Sequence, residues 1–282
     1  MTDLPRGLLA IFAHPDDESF SIGGTLALAA EHGARVRVLC ATNGDEGGEG
    51  ADGDHAMDPE IRLSELRAAC LALGIEAPVF LGYSDSGMEG WGPKPGSLAL
   101  ADPEEAIGRI VAEIQVFRPS VVITFDPGGI YGHPDHMAIS ALASEAFRRA
   151  AAEPGGPLAL YHTAIRRSFV PEMGRLMAEA AQASGETEGA PTREPSADDL
   201  AQQRKFVELA RPDEDFTTHV DVRAMVGRKI AALAAHASQT RGMGVEGGSP
   251  EMGDRMLGDE WFIRVAPPPA AGEPIETMVE PI

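Results

Sequence analysis

The chain has 282 residues, of which 43% are hydrophobic, so it is long enough to bury a sizeable core. Its formal net charge of −21 argues against a protein that binds nucleic acid or an anionic membrane, because both need clustered Lys and Arg to neutralise phosphate. A small neutral or cationic substrate is easier to accommodate, although the charge is equally explained as a solubility feature.

Short apolar runs alternate with helical segments along the N-terminal half. The first pair is an apolar run from Leu8 to Ala13 and a helical segment from Ile22 to His32, which ends at a glycine. Strands that alternate with helices of this length predict an α/β fold with a mostly parallel sheet and helices on both faces. The later elements predicted here are strands over 36–41, 78–81 and 120–125 and helices over 59–73, 103–117 and 134–152, with Asp102 as an N-cap.

Beyond Leu158 the periodicity weakens. Region 184–199 is rich in Gly, Glu, Pro, Ser and Thr and is expected to be a mobile surface insertion, and 266–282 is expected to be a loose C-terminal tail. We therefore expect a single domain over 1–265. The remaining predicted elements are strands over 158–162 and 261–265 and helices over 171–183 and 222–237, the last with Asp221 as a cap.

Cysteine usage and the N-terminus indicate the compartment. Cys40 and Cys70 are the two cysteines, and both lie in apolar or amphipathic runs, so a disulfide framework is not indicated. Met1–Gly7 has no basic segment followed by an apolar stretch, and no window approaches the ~18 apolar residues that span a bilayer. We expect a soluble cytoplasmic protein.

Two histidine-containing stretches, A-H-P-D-D-E at 13–18 and G-H-P-D-H at 132–136, each follow a predicted strand. Since ligands bind at the carboxyl ends of parallel strands, the two stretches should meet at one edge of the sheet. Neutral imidazole and carboxylate oxygen hold divalent cations of the zinc type, and hydrolytic sites use three protein ligands. His14, Asp17 and one histidine of the second stretch supply that set, which leaves Asp16 where a base is wanted.

Each stretch taken alone is also a good helix start, because Pro suits the first helical position and Asp suits the helix dipole. Two copies at the ends of different strands favour the metal site. The adjacent carboxylates of Asp16, Asp17 and Glu18 point the same way, because they repel one another unless a cation lies among them.

Together the two stretches resemble the signature of the PIG-L/LmbE-type zinc-dependent N-deacetylases. That family removes acetyl groups from N-acetylglucosaminyl compounds and includes deacetylases and amidases of mycothiol and bacillithiol metabolism. The resemblance extends over Leu8–Gln239. It implies a three-layer, Rossmann-like LmbE-type fold, a Zn2+ cofactor with Fe2+ as the alternative, and a small amino-sugar substrate.

The resemblance also implies roles for the residues of both stretches. His14, Asp17 and His136 are implied to bind the metal, and Asp16 is implied to be the general base that activates the hydrolytic water.

Two residues of the second stretch and the tyrosine immediately before it are implied to act on the developing charge. His133 is implied to stabilise the oxyanion or to assist proton transfer to the leaving amine, with Asp135 orienting it. Tyr131 matches a tyrosine that assists the oxyanion in mycothiol-type members. A charged imidazole or a phenol hydroxyl suits this role, because the charge that forms on oxygen needs a preorganised donor.

Two loop or helix residues are candidates for substrate binding. Arg62 matches an arginine that contacts the sugar in related enzymes. Asp85 lies in G-Y-S-D-S-G-M at 82–88, which resembles a loop of the mycothiol-pathway enzymes, except that Ser84 stands where those carry arginine. Asp85 is placed either to bond a substrate hydroxyl or to form an Asx-turn.

Two more candidates have equally open interpretations. Glu18 either takes part at the site directly, or serves the helix dipole and tethers a loop. His236, in H-A-S-Q at 236–239, resembles an element of the same branch of the family, and a lone histidine near a helix end is also typical of a core residue.

The leading hypothesis is a metal-dependent hydrolase that removes the N-acetyl group of an N-acetylglucosaminyl-type conjugate and releases acetate and a free amine. An alternative is an amidase of mycothiol-like thiol S-conjugates, but those enzymes carry a lysine near the position of Phe20 and Ser21, and this chain has none there. A non-catalytic metal- or sugar-binding module is the third hypothesis, and the retained Asp16 argues against it. The sequence does not predict the oligomeric state.

Overall fold

The computed structural model describes residues 7–48, 56–88, 92, 94–183, 204–241 and 250–279. Within them, seven strands form one sheet. The strands are β1 (Gly7–Phe12), β2 (Arg35–Thr42), β3 (Val79–Tyr83), β4 (Val121–Phe125), β5 (Ala159–Thr163), β6 (Thr218–Asp221) and β7 (Asp259–Ala266). Their order in the sheet is β3-β2-β1-β4-β5-β7-β6.

Helices cover the sheet in two groups that pack among themselves. The helices of the described residues are α1 (Asp17–Glu31), α2 (Pro59–Leu73), α3 (Pro103–Phe117), α4 (Gly129–Gly132), α5 (Pro134–Ala151), α6 (Phe169–Ala183), α7 (204–209), α8 (Val226–Ala235), α9 (Ala237–Thr240) and α10 (Pro250–Leu257). Helices α1, α2 and α8 contact one another, whereas α3 packs against α5. Among these residues, none of the helices has the length and apolarity to cross a bilayer.

The core lies along β1, whose residues from Leu8 to Phe12 are fully buried. A central parallel strand is covered by helices on both faces, so it has no polar alternation, and this explains the continuous apolar run. β1 pairs in parallel with β2 on one side and with β4 on the other. The chain order therefore reverses at β1, which opens a crevice at the carboxyl ends of β1 and β4. Both histidine-containing stretches begin at this crevice.

The predicted fold class, α/β with a mostly parallel sheet, is confirmed. The bounds of α2 and α3 agree with the prediction, and the Asp102 carboxylate caps α3 by accepting the N–H groups of Glu104 and Glu105. The far edge of the sheet is not parallel, because β7 runs antiparallel to both β5 and β6. The four-residue strand β6 has no alternating pattern long enough to reveal it. Asp221 ends β6 and does not cap α8, whose N-cap is Met225.

Helix α1 begins five residues earlier than the Ile22 start predicted from the sequence, at Asp17. The helix is broken at Ile22, where φ is −142° and ψ is 19°. The residues before this kink carry Asp17 and Glu18, so they form a short segment of their own at the crevice.

The C-terminal segment differs from the loose tail expected over 266–282. Glu276 pairs with the edge strand, because its N–H donates to Thr217 (2.9 Å) and its carbonyl accepts from His219 (2.8 Å). Val279 is fully buried. Residues 276–279 are therefore held against the sheet, whereas residues 267–275 are exposed. The expected insertion over 184–199 lies outside the described residues.

Replacing Glu276 with alanine should lower the free energy of unfolding by about 2 kcal/mol, because it removes an acceptor shared by three partly buried donors. These donors are Tyr161, Thr218 and Arg264. Urea denaturation followed by circular dichroism measures the change. Glu273→Ala is the control, since Glu273 also bonds Arg264 but is exposed, and it should shift the midpoint less. If both variants and the unaltered protein have equal midpoints, the contacts of the C-terminal segment contribute nothing to stability.

Candidate metal centre and catalytic residues

The first histidine-containing turn is built around the carboxylate of Asp17. Its Oδ2 atom accepts the backbone N–H groups of Ala13 (3.1 Å) and His14 (2.7 Å). Its Oδ1 atom lies 3.3 Å from Nε2 of His136. Burial disfavours the charge, but the facing His136 and His14 lower the pKa of Asp17 to about 2. Asp17 is therefore an ionised carboxylate that reaches across to the second turn.

Potential metal-ligand atoms of three side chains converge between β1 and β4. Nδ1 of His14 lies 3.1 Å from Nε2 of His136 and 3.7 Å from Oδ2 of Asp17. All three side chains are buried. Tetrahedral ligands about 2.0–2.2 Å from a zinc ion are roughly 3.3–3.6 Å apart, so these separations and this donor set fit a divalent cation. His133 is also close, since its ligand atom lies within 4.8 Å of those of His14 and His136.

The other ring nitrogen of His14 is held by Asp135. Nε2 of His14 lies 3.2 Å from Oδ2 of Asp135, which also accepts the backbone N–H of Ser86 (2.8 Å). The Ser86 hydroxyl donates to Oδ1 of the same carboxylate. Burial lowers the pKa of His14, but the carboxylates of Asp85 and Asp135 outweigh burial and raise it. A carboxylate behind the ring fixes the tautomer that leaves Nδ1 free as a ligand.

Asp135 contacts His133 through its backbone N–H, whereas its carboxylate faces His14. The Asp135 carboxylate turns toward the β1 turn because Ser86 and His14 supply its donors there. Sequence reasoning missed Ser86, and its position directly after Asp85 in a polar loop is the signal that could have identified it.

Asp16 has a backbone conformation that is rare outside glycine, with φ at 132°. Its N–H donates to Oε2 of Glu18 (3.1 Å), and its Oδ2 accepts from Nη2 of Arg62 (3.1 Å). Burial raises the pKa of Asp16 to about 6, although Arg62 acts in the opposite direction. Such a carboxylate is ionised at neutral pH and able to take a proton, as a general base requires.

Arg62 is 2% exposed, so it faces Asp16 and not an open surface. The same Nη2 donates to the carbonyl of Pro15. Gly44 and Gly47 close over the guanidinium, and a Cβ atom at Gly47 would lie 2.3 Å from Nη1. The structure therefore brings Arg62 to the Asp16 carboxylate, whereas the resemblance implied a contact with the sugar.

His133 and Tyr131 lie beside the three donors. Nδ1 of His133 accepts the backbone N–H of Asp135 (3.1 Å), so in the neutral ring the proton is on Nε2. Burial and the neighbouring His14 and His136 lower the pKa of His133 to about 4, which favours this neutral form. The Tyr131 side chain is 38% exposed, and its ring centroid is 5.0 Å from that of His136. Both groups carry a proton that they can donate.

The remaining three predicted residues fall into two environments. Asp85 has Oδ1 3.5 Å from Nε2 of His14 and 4.0 Å from Nε2 of His133, and it also accepts the N–H of Gly87 as in an Asx-turn. Glu18 and His236 are both fully buried, with Oε1 and Nε2 2.8 Å apart. They contact each other beneath the site and do not line its surface.

Comparison with known proteins identifies the family of the chain. The family model described as PIG-L, GlcNAc-PI de-N-acetylase, matches residues 9–147. The chain is 37% identical to a protein of Acidothermus cellulolyticus named 1D-myo-inositol 2-acetamido-2-deoxy-alpha-D-glucopyranoside deacetylase, over 92% of this chain and 88% of the relative.

Two solved structures resemble the fold. The conserved protein TT1542 from Thermus thermophilus superposes with a TM-score of 0.57 at 25% identity, over 93% of this chain and 96% of the other. N,N'-diacetylchitobiose deacetylase from Pyrococcus horikoshii also has a TM-score of 0.57, at 18% identity, over 92% and 84% of the two chains.

Replacing Asp135 with asparagine should weaken the affinity for Zn2+ by about 10- to 100-fold, because the His14 ring loses the carboxylate behind it. Competition with a chromophoric chelator measures the affinity. The matched control is Asp102→Asn at the exposed N-cap of α3, where asparagine caps as well as aspartate. Affinities that are equal for the two variants would show that Asp135 does not support a ligand.

Proposed function

Because the chain belongs to the PIG-L family of de-N-acetylases, we propose that it is a metal-dependent hydrolase that removes the N-acetyl group from an N-acetylglucosaminyl-type conjugate. The products are acetate and a free amine. The relative at 37% identity, named as a deacetylase of an acetamido-glucopyranosyl inositol, supports an amino-sugar conjugate as the substrate. The single observation on which the proposal rests is the convergence of His14, Asp17 and His136 at the crevice.

These three residues would hold the cation. Two histidines and one carboxylate suit zinc and ferrous iron alike, and zinc is our first choice. A divalent cation held there would supply the Lewis-acid chemistry that amide hydrolysis needs near neutral pH.

Asp16 is our general base. It follows the ligand His14 by two residues and precedes the ligand Asp17, so its carboxylate stays close to the ligand set whatever the substrate. Arg62 holds one carboxylate oxygen, Oδ2, and the other is left to accept a proton from the attacking water. The same carboxyl group then returns that proton to the leaving amine.

His133 and Tyr131 are our donors to the amide oxygen. As the carbonyl carbon becomes tetrahedral, its oxygen gains negative charge and needs a donor that is already in position. The Nε2–H of neutral His133 and the hydroxyl of Tyr131 both meet this need. Asp85 remains our candidate for a hydrogen bond to a substrate hydroxyl.

The thiol-conjugate amidase is the alternative activity. An assay of the purified protein distinguishes the two activities. The substrates are an N-acetylglucosaminyl inositol, free N-acetylglucosamine and a bimane-labelled thiol conjugate, and fluorescamine detects the released amine. We expect the highest kcat/KM on the N-acetylglucosaminyl inositol, loss of activity with a chelator, and recovery with Zn2+ or Fe2+. Preferred cleavage of the thiol conjugate would favour the amidase, and full activity in metal-free protein would overturn the mechanism.

Asp16→Asn should lower kcat by about 10²- to 10⁴-fold, because asparagine cannot accept the proton. The metal content, measured by inductively coupled plasma mass spectrometry, should equal that of the unaltered protein, since Asp16 is not one of the proposed ligands. Asp102→Asn serves again as the control and should keep full kcat. Full activity in Asp16→Asn would contradict its role as the base and would reopen the possibility of a binding module.

A further inference from the structure

The strained backbone of Asp16 is held by Glu18, and Glu18 is held from a distant part of the chain. Oε2 of Glu18 accepts the N–H of Asp16 (3.1 Å). Oε1 of the same carboxylate accepts the hydroxyl of Ser19 (2.5 Å) and lies 2.8 Å from Nε2 of His236. Both oxygens are therefore occupied, and the rotamer of this fully buried side chain is fixed by its partners.

The backbone of Asp16 is held on two sides. Its carbonyl accepts the N–H groups of Ser19 (2.9 Å) and Phe20 (3.1 Å) in the first turn of α1, and its N–H depends on the Glu18 carboxylate. The helix breaks at Ile22, and its second part has its own cap, since Glu260 accepts the N–H groups of Gly24 (2.9 Å) and Thr25 (2.7 Å). The residues from Asp16 to Ser21 are separated by the kink from this capped part. Their position relative to the capped part depends on local contacts, among which the Glu18 carboxylate is the acceptor of the Asp16 N–H.

His236 is itself fixed, so it is able to serve as an anchor. It stands between α8 and α9 and is fully buried. Two residues further along, Ser238 donates from its backbone N–H (2.8 Å) and its hydroxyl (2.6 Å) to the carboxylate of Glu65 on α2. The donor to Glu18 thus comes from a segment fastened to a neighbouring helix.

We propose that His236 is a positioning residue for deacetylation, which fixes Glu18 and thereby holds the backbone of Asp16 in the conformation that presents its carboxylate to the site. A backbone in a disfavoured region persists only when its surroundings determine it. Without His236, Glu18 loses a donor in a buried position, its rotamer is released, and Asp16 relaxes. The inference rests on the proposed role of Asp16 as the general base.

The first test separates turnover from binding. His236→Ala should lower kcat by about 10- to 100-fold, because small misplacements of a catalytic group have effects of this size. KM should stay within about twofold, and zinc content should be unchanged, since His236 is neither a proposed metal ligand nor at the surface of the site. His162→Ala is the matched control, because His162 is also buried and bonds Ser144 on α5, and its kcat should stay near that of the unaltered protein. An equal loss of kcat in both variants would overturn the inference.

Two further variants show whether His236 acts through Glu18. His236→Gln keeps an N–H donor and should recover part of the lost kcat. In a Glu18→Gln background, His236→Ala should add little, because residues that act as a unit are not additive. If the loss of kcat in the double variant equals the product of the two single losses, His236 acts by another route.

The last test does not use activity. In metal-free protein, the amide hydrogen of Asp16, followed by NMR, should exchange at least about tenfold faster in His236→Ala than in the unaltered protein. The amide of Gly24, held by Glu260, is the internal control and should not change. Unchanged exchange at Asp16 overturns the positioning role. If no acetylated sugar is cleaved by the unaltered protein, the proposed function fails, whereas the exchange result still decides this inference.

Discussion

The site depends on the mutual compensation of buried charges between β1 and β4. An ionised carboxylate removed from water is costly unless it is paired and hydrogen-bonded. Asp17 and Asp135 are both buried, and each faces an imidazole contributed by the other turn, Asp17 through His136 and Asp135 through His14. Backbone N–H groups of the first turn also bond Asp17, but each carboxylate has an imidazole partner in the other turn. The strand order that sets β1 beside β4 brings these partners together.

Much of the fold was predictable because its signals are local. α2 and α3 begin with an aspartate N-cap followed by proline, and their bounds follow from the sequence. The meeting of the two histidine-containing stretches was also predictable, because carboxyl ends of parallel strands share one edge of a sheet. The donor types in those stretches then suggest a metal without any knowledge of distances.

The parts that were not predicted depend on partners far away in the chain. Asp135 bonds His14 across 121 positions, and Glu18 meets His236 across 218, so no local pattern encodes either contact. Arg62 looked like a sugar ligand until its burial against Asp16 was known. The C-terminal segment reads as a loose tail because its proline and glycine content is visible in the sequence, whereas the hydrogen bonds of Glu276 to the edge strand are not.

The enclosure of Arg62 bears on how this scaffold can diversify. Gly44 and Gly47, in the loop after β2, lie beside the Arg62 guanidinium. Loops are where substrate preference is usually altered. Yet Gly47 leaves no room for even one methyl group beside the guanidinium. Libraries that randomise this loop in search of new specificities should keep Gly47 fixed, because a side chain there displaces Arg62 and disturbs its contact with Asp16.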